Sequence, residues 1–222
     1  YYGLVEEVSE LIKERQLIEY ERDHDVLTGL VNRRAYQRQM KRLFTIEASS
    51  INIGALLMLD LDNLKMINDK FGHEYGDLYI QKAADMFRRL SPEGTIISRI
   101  SGDEFNLFLY GYDSRTELRE KIDRFWRELS KSSITMPNQQ EIHILVSGGI
   151  AWYPDDSRDF NTLQKYSDFA MYSVKHTLKG EIGDFSLQDY RNDVYMMKRK
   201  AELSRILEAN AFTYYFQPIV SA

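Results

Sequence analysis

The sequence predicts an α+β fold, an α/β sandwich of helices on a mainly antiparallel or mixed sheet. Three observations predict it. Strand-sized apolar runs alternate with stretches of helical period, one pair of runs closes through a glycine turn into a hairpin, and no repeat or low-complexity tract breaks the order. At 222 residues and 43% hydrophobic content, the chain can fill one substantial core and carry appendages. Its net charge is −5, and no Lys/Arg block dominates, which argues against nucleic-acid or membrane-surface contact through a basic patch. With no cysteine, disulfide frameworks, Cys-based zinc sites and thiol catalysis are excluded together. That fits a reducing, cytoplasmic location, including the cytoplasmic part of a larger membrane-anchored protein. The longest apolar runs, such as Gly54 to Leu59, are too short to span a bilayer. The chain opens on Tyr1-Tyr2 without a Met and with no signal peptide, so upstream context is expected.

Residues 1–22 place Leu4, Val8, Leu11 and Ile18 on a narrow helical seam interrupted by Arg15. They read as a stalk or as an amphipathic helix lying on its own domain. Thr28-Gly29 breaks that helix, and Asn32 is a good N-cap for the next, which runs to about Ala48 with Tyr36, Met40, Leu43 and Phe44 on one face. Ile51 to Leu61 is a strand apolar enough to be buried on both faces, yet it ends in Asp60-Leu61-Asp62. Acids at the end of a buried strand are costly unless a cation compensates them.

A short helix from Asn63 to Phe71 follows, then a 72–76 loop and a helix from about Asp77 with Ile80, Ala83, Ala84, Phe87 and Leu90 inward. The 95–110 hairpin turns at Ser101-Gly102-Asp103-Glu104. Beyond it the pattern gives a helix from Ser114 to Leu129, a polar loop over 131–140, a strand from Glu141 to Trp152, a helix from Phe160 to Leu178 and a short strand near 184–187. A charged helix over 191–210 and the apolar start of a strand, Phe212 to Val220, complete the chain.

The hairpin tip is ordinary turn chemistry if it is merely solvated, and a site if its carboxylates have partners. Asp60 and the Asp103/Glu104 pair converge if their strands are neighbours in one sheet. Oxygen donors without nearby His or Cys suit a hard cation, Mg²⁺ or Mn²⁺, gripping nucleotide phosphates. The reaction class is then phosphoryl or nucleotidyl transfer. Lys65 and Lys175 are either phosphate contacts or solvated surface lysines.

The set Asp25-x-Leu-Thr-Gly-Leu-x-Asn-Arg-Arg34, Asp60-Leu-Asp-x-x-Lys65-x-x-Asn68-Asp69, Phe71-Gly-His-x-x-Gly-Asp77, Ser101-Gly-Asp-Glu-Phe105, Tyr153-Pro154 and Met171-Tyr-x-x-Lys175 resembles the GGDEF family of diguanylate cyclases, in order and at family spacing. The tail from Leu203 to Val220, with Phe212-x-Tyr-Tyr-Phe-Gln217-Pro-Ile-Val220, resembles the opening of an EAL phosphodiesterase domain. The resemblance divides the chain into a stalk helix over 1–22, a GGDEF-like domain over 23–187, and a linker helix with the first strand of a truncated EAL-like domain over 188–222. It implies a ferredoxin-like palm of nucleotidyl cyclase type. By that resemblance Asp60, the Leu61 carbonyl and Asp103 would hold two Mg²⁺ or Mn²⁺ ions, and Glu104 would be either a further ligand or the group that helps deprotonate a ribose 3′-hydroxyl.

Asn68 and Asp77 would read guanine, since an Asp accepts from N1–H and the exocyclic amine and an Asn supplies the amide complement. Lys65 and Lys175 would touch the triphosphate, and Lys179 stands where the family commonly has Arg. The partners implied are GTP, a second copy of the domain, an EAL-like domain downstream and a sensor or input module upstream. Departures are also present. Ser101 replaces the first glycine of the signature beside Gly102, a cost if that position needs positive φ. Asn63 and Leu64 stand where aromatic residues are common, and Pro92-Glu-Gly-Thr95 replaces the Arg-x-x-Asp of the family's inhibitory product site, so feedback through that site is not expected. The functional expectation is a diguanylate cyclase, with a GTP-binding regulatory module for an adjoining phosphodiesterase as the alternative.

Overall fold

A computed structural model describes residues 20–136 and 138–208. The stalk seam at Leu4, Val8, Leu11 and Ile18, and the Phe212 to Val220 tract, lie outside the described residues. The chain divides between Phe185 and Ser186 into two units.

The first unit is a mixed six-stranded sheet flanked by helices. Its strands are β1 (Val31–Asn32), β2 (Ile53–Leu61), β3 (Ile96–Ser101), β4 (Glu104–Tyr112), β7 (Val146–Tyr153) and β8 (Ile182–Asp184), in the order β1-β3-β4-β2-β7-β8. The three central ladders are antiparallel and the two outer ones, β1 with β3 and β7 with β8, are parallel. The helices are α1 (Arg33–Thr45), α2 (Leu64–Phe71), α3 (His73–Leu90), α4 (Arg115–Ser130) and α5 (Phe160–Thr177).

Local chemistry sets the helix starts. The Asn32 side chain accepts from Ala35 N–H at 2.9 Å, and Asp159 accepts from Thr162 N–H at 2.8 Å, each satisfying a donor that the first helical turn leaves free. β2 is buried along nearly its whole length, as its apolar composition predicts. Alternation splits it between two cores. Ala55, Leu57, Leu59 and Leu61 join Tyr79, Ala83 and Phe87 of α3 and Leu118, Ile122 and Phe125 of α4. Leu56, Met58 and Asp60 point to the opposite face, against which α5 packs.

Four elements differ from the sequence expectation, the first being β1, a two-residue edge strand in a stretch expected only to break one helix and cap the next. Gly72 alone breaks the chain between α2 and α3 with φ 93°, so the expected 72–76 loop is already the first turn of α3. The 131–152 tract is not one loop and one strand. Ser133–Thr135 (β5) pairs antiparallel with Glu141–His143 (β6) in a separate two-stranded sheet, because Ile134, Met136 and Ile144 turn inward against the end of α4. Leu187 opens a helix rather than closing a strand, and that helix, α6 (Leu187–Glu208), is the described part of the second unit.

Candidate functional site

The acidic end of β2 is clamped by both neighbouring strands. Asp60 is the direct ladder partner of Glu104 on β4 and of Ser147 on β7. Just beyond, Leu61 N–H donates to the Asp103 carbonyl at 3.0 Å and Asp62 N–H donates to the Leu145 carbonyl at 2.9 Å. The strand end and the hairpin tip are therefore one wall, fixed by backbone hydrogen bonds. The tip turns at Gly102, whose φ of 41° falls in the left-handed region. Ser101 remains in the ladder opposite Glu104 with no positive φ, so serine there carries no backbone strain. The expected cost of the serine does not arise, because the left-handed position is its neighbour.

Asp60 is only 6% exposed, and its counter-charge comes from α5. Gly148 and Gly149 lie on β7 beside it, and a Cβ on Gly149 would sit 2.1 Å from the Ser167 carbonyl oxygen and 2.2 Å from Met171 N. The helix backbone thus lies directly on the sheet. One turn past Met171, Lys175 Nζ reaches to 2.7 Å from Asp60 Oδ1. Burial pushes the Asp60 carboxyl up to about 6; Lys175 opposes the rise, and the charges of Asp103 and Asp62 add to it. A buried carboxylate that holds an ammonium while two other acids press on it is a site that calls for cationic charge.

Asp62, 3% exposed, anchors the same corner. Ser147 Oγ donates to its Oδ2 at 2.6 Å, and Gly180 N–H donates to Ser147 Oγ at 3.2 Å, while Asp62 Oδ1 is buried without a hydrogen-bond partner. Tyr79 OH accepts from Leu145 N–H at 3.1 Å on the neighbouring segment. The hairpin has its own brace. Arg99 Nε and Nη2 donate to the Gly102 carbonyl at 3.0 and 2.9 Å, and Nη1 donates to Asp25 Oδ1 at 3.0 Å. Burial raises the Asp25 carboxyl, but hydrogen bonds from Thr28 and Arg99 outweigh it and leave the group below its usual range.

A cleft of about 640 Å³ opens over this wall, lined by Asp60, Leu61, Asp103, Lys65, Lys175 and Lys179. Ser101, Gly102, Glu104, Asn68 and Asp77 do not line it. Asn68 is half-buried on α2 and lies against α3 at Gly76, where an added Cβ would fall 1.8 Å from Asn68 Oδ1. Asp77 follows Gly76 directly and is exposed. The structure thus brings the metal candidates Asp60, Leu61 and Asp103 and the phosphate candidates Lys65, Lys175 and Lys179 to one cleft, leaves the expected ligand Glu104 outside its lining, and brings Asn68 to the turn of α3 that carries Asp77.

Sequence reasoning gave no role to Arg99 and no partner to Asp62; the signal for the first was its place two residues before Ser101. The all-oxygen donors and the ammonium already standing against Asp60 fit a divalent cation. Among the described residues, no group of three or more His, Cys, Asp or Glu is already gathered in metal-holding geometry.

The family model for the GGDEF domain, described as diguanylate cyclase, GGDEF domain, matches residues 22–181. The chain belongs to the GGDEF family. Among curated relatives, the signaling protein YkoW of Bacillus subtilis is 28% identical over 220 residues, 98% of this chain and 27% of that protein. The bifunctional diguanylate cyclase/cyclic di-GMP phosphodiesterase MucR of Pseudomonas aeruginosa is 30% identical over 203 residues, 90% of this chain and 29% of that protein. The chain spans less than a third of the length of either. Among solved structures, the GGDEF domain of YfiN (TpbB) from P. aeruginosa matches with a TM-score of 0.70 at 28% identity, covering 76% of this chain and 97% of that one. The mixed sheet flanked by helices is therefore the palm-type fold of GGDEF domains. Among the described residues, no helix is long and apolar enough to cross a membrane.

Proposed function

We propose that this GGDEF domain condenses two molecules of GTP into cyclic di-GMP and pyrophosphate, each subunit of a homodimer bringing one GTP to the other. The observation that carries the reading is the Asp60–Glu104 ladder pair with Leu61 bonded to Asp103: strand end and hairpin tip form a single rigid acidic wall at a cleft lined by Lys65, Lys70, Lys175 and Lys179. Rigid placement of charge is what nucleotidyl transfer requires of a protein.

The 3′-oxygen of one ribose bonds to the α-phosphorus of the other GTP, the bond from that phosphorus to the bridging oxygen breaks, and pyrophosphate departs. The 3′-proton passes to a base, for which Glu104 is the candidate. Asp60, the Leu61 carbonyl and Asp103 would hold Mg²⁺ or Mn²⁺, which would supply Lewis-acid polarisation of the phosphate. Lys175 exchanges its carboxylate partner for the triphosphate, with Lys65 and Lys179 beside it. Asn68 and Asp77 accept and donate along the guanine edge and leave adenine mispaired. The domain works in the cytoplasm between an input module upstream and an EAL-like domain downstream, on residues 23–187 of this numbering.

One observation favours the regulatory alternative. Glu104 is engaged by Ser101 and does not line the cleft, which suits a GTP-binding module that tunes an adjoining phosphodiesterase. Incubation of the dimer with GTP and Mg²⁺ or Mn²⁺, followed by detection of cyclic di-GMP, separates the two. Absence of product together with GTP-dependent thermal stabilisation overturns the cyclase reading in favour of the regulatory one.

A further inference from the structure

Ser101 Oγ donates to Glu104 Oε2 at 2.6 Å across the tip of the hairpin. A hydroxyl–carboxylate bond of this length is charge-assisted and stronger than a neutral one. The two residues are ladder partners on β3 and β4, one step past a register shift between Arg99 and Ser101. A glycine at 101 has no donor to offer. Glu104 alternates along β4 onto the same sheet face as Asp60, and the Asp168 carboxyl on α5 is raised first by burial and then by the charge of Glu104. Glu104 thus stands on the α5 side of the sheet, next to the cleft, yet Asp60 and Asp103 line that cleft and Glu104 does not.

We propose that Ser101 is a positioning residue that holds Glu104 by one oxygen at the rim, withholding it from the cation-binding carboxylates of the cleft. The inference rests on the cyclase reading of that cleft and adds a control to it. With the hydroxyl in place, the cleft offers Asp60, Asp62, Asp69 and Asp103; with the hydroxyl gone, Glu104 turns in as one carboxylate more. Serine at the first signature position therefore lowers the affinity of the site for divalent cations rather than blocking GTP sterically.

The test uses the whole chain with a non-cyclising GTP analogue, titrated with Mn²⁺ by calorimetry in the wild type and in Ser101→Ala, Ser101→Gly and Ser101→Thr. Loss of one charge-assisted hydrogen bond predicts Mn²⁺ binding roughly tenfold tighter in the alanine and glycine variants. The threonine variant keeps the hydroxyl and stays within about twofold of wild type. Agreement of the alanine and glycine variants excludes a purely backbone effect of glycine. Equal Mn²⁺ affinity in wild type and alanine variant, or a threonine variant that shifts with alanine, overturns the proposal. Cyclic di-GMP from GTP is measured in parallel. Product without an Mn²⁺ shift removes the role of Ser101 and leaves the cyclase; an Mn²⁺ shift without product in any variant removes the cyclase and leaves the role of Ser101.

Discussion

Asp60 and Glu104 are held across a strand ladder with backbone hydrogen bonds on both sides, whereas Asn68 and Asp77 sit on two consecutive helices joined at a single glycine. In the sheet limb Asp60 is buried and Glu104 half-buried, and burial pushes the Asp60 carboxyl up to about 6. The helical limb is more exposed, and Asn68 meets α3 where Gly76 leaves room. Chemistry on phosphorus needs charges fixed to within a fraction of an ångström, and a ladder supplies that. Base recognition needs a complementary edge, which two helices can present and adjust.

The largest expected effect breaks the sheet limb directly. Asp103→Ala removes a cleft carboxylate and lowers cyclic di-GMP formation by roughly a hundredfold or more, with an unchanged circular dichroism spectrum. An unaltered rate means the cation assignment is wrong. Next, Gly149→Ala drives a methyl into the backbone of α5, costs about 2 kcal/mol and lowers the unfolding midpoint; it also carries Lys175 away from Asp60. A midpoint equal to wild type contradicts the close approach of helix and sheet.

The helical limb predicts a smaller, selective effect. Gly76→Ala displaces the Asn68 amide and reduces the preference for GTP over ATP by roughly tenfold, read by competition binding, while Mn²⁺ affinity stays as it was. If metal affinity falls equally, the two limbs are not separate. The smallest effect concerns the brace behind the hairpin. Asp25 is held below its ordinary value, so its contribution is present above about pH 4, its unfolded value, and is lost as pH falls through the lower folded value. Asp25→Asn therefore costs about 1 kcal/mol at pH 7 and progressively less in acid, measured by urea unfolding across pH. A deficit that persists in acid assigns the loss to packing rather than to the Arg99 ion pair.

Much of this was legible beforehand. The apolar run of β2 showed burial, its terminal acids announced a need for compensation, and the cation proved to be Lys175. The Asn32 cap and the hairpin at 101–104 followed from local chemistry alone. What was not legible depended on distant partners. The two-stranded β5–β6 sheet hides in a polar tract whose few apolar residues find their core only against α4. Arg99 looked like any strand arginine until the fold laid Asp25 beside it.

The sequence by itself determined the family, the residue types of the cleft and the main alternation of helices and strands, because those depend on local periodicity and on spacing along the chain. Only the tertiary structure decided that Asp60 faces α5 and Lys175, that Gly102 rather than Ser101 bears the left-handed turn, and that the serine hydroxyl reaches Glu104. Those outcomes rest on strand register and helix approach, which fix distances of a few ångströms between residues far apart in sequence, and no local pattern encodes such distances.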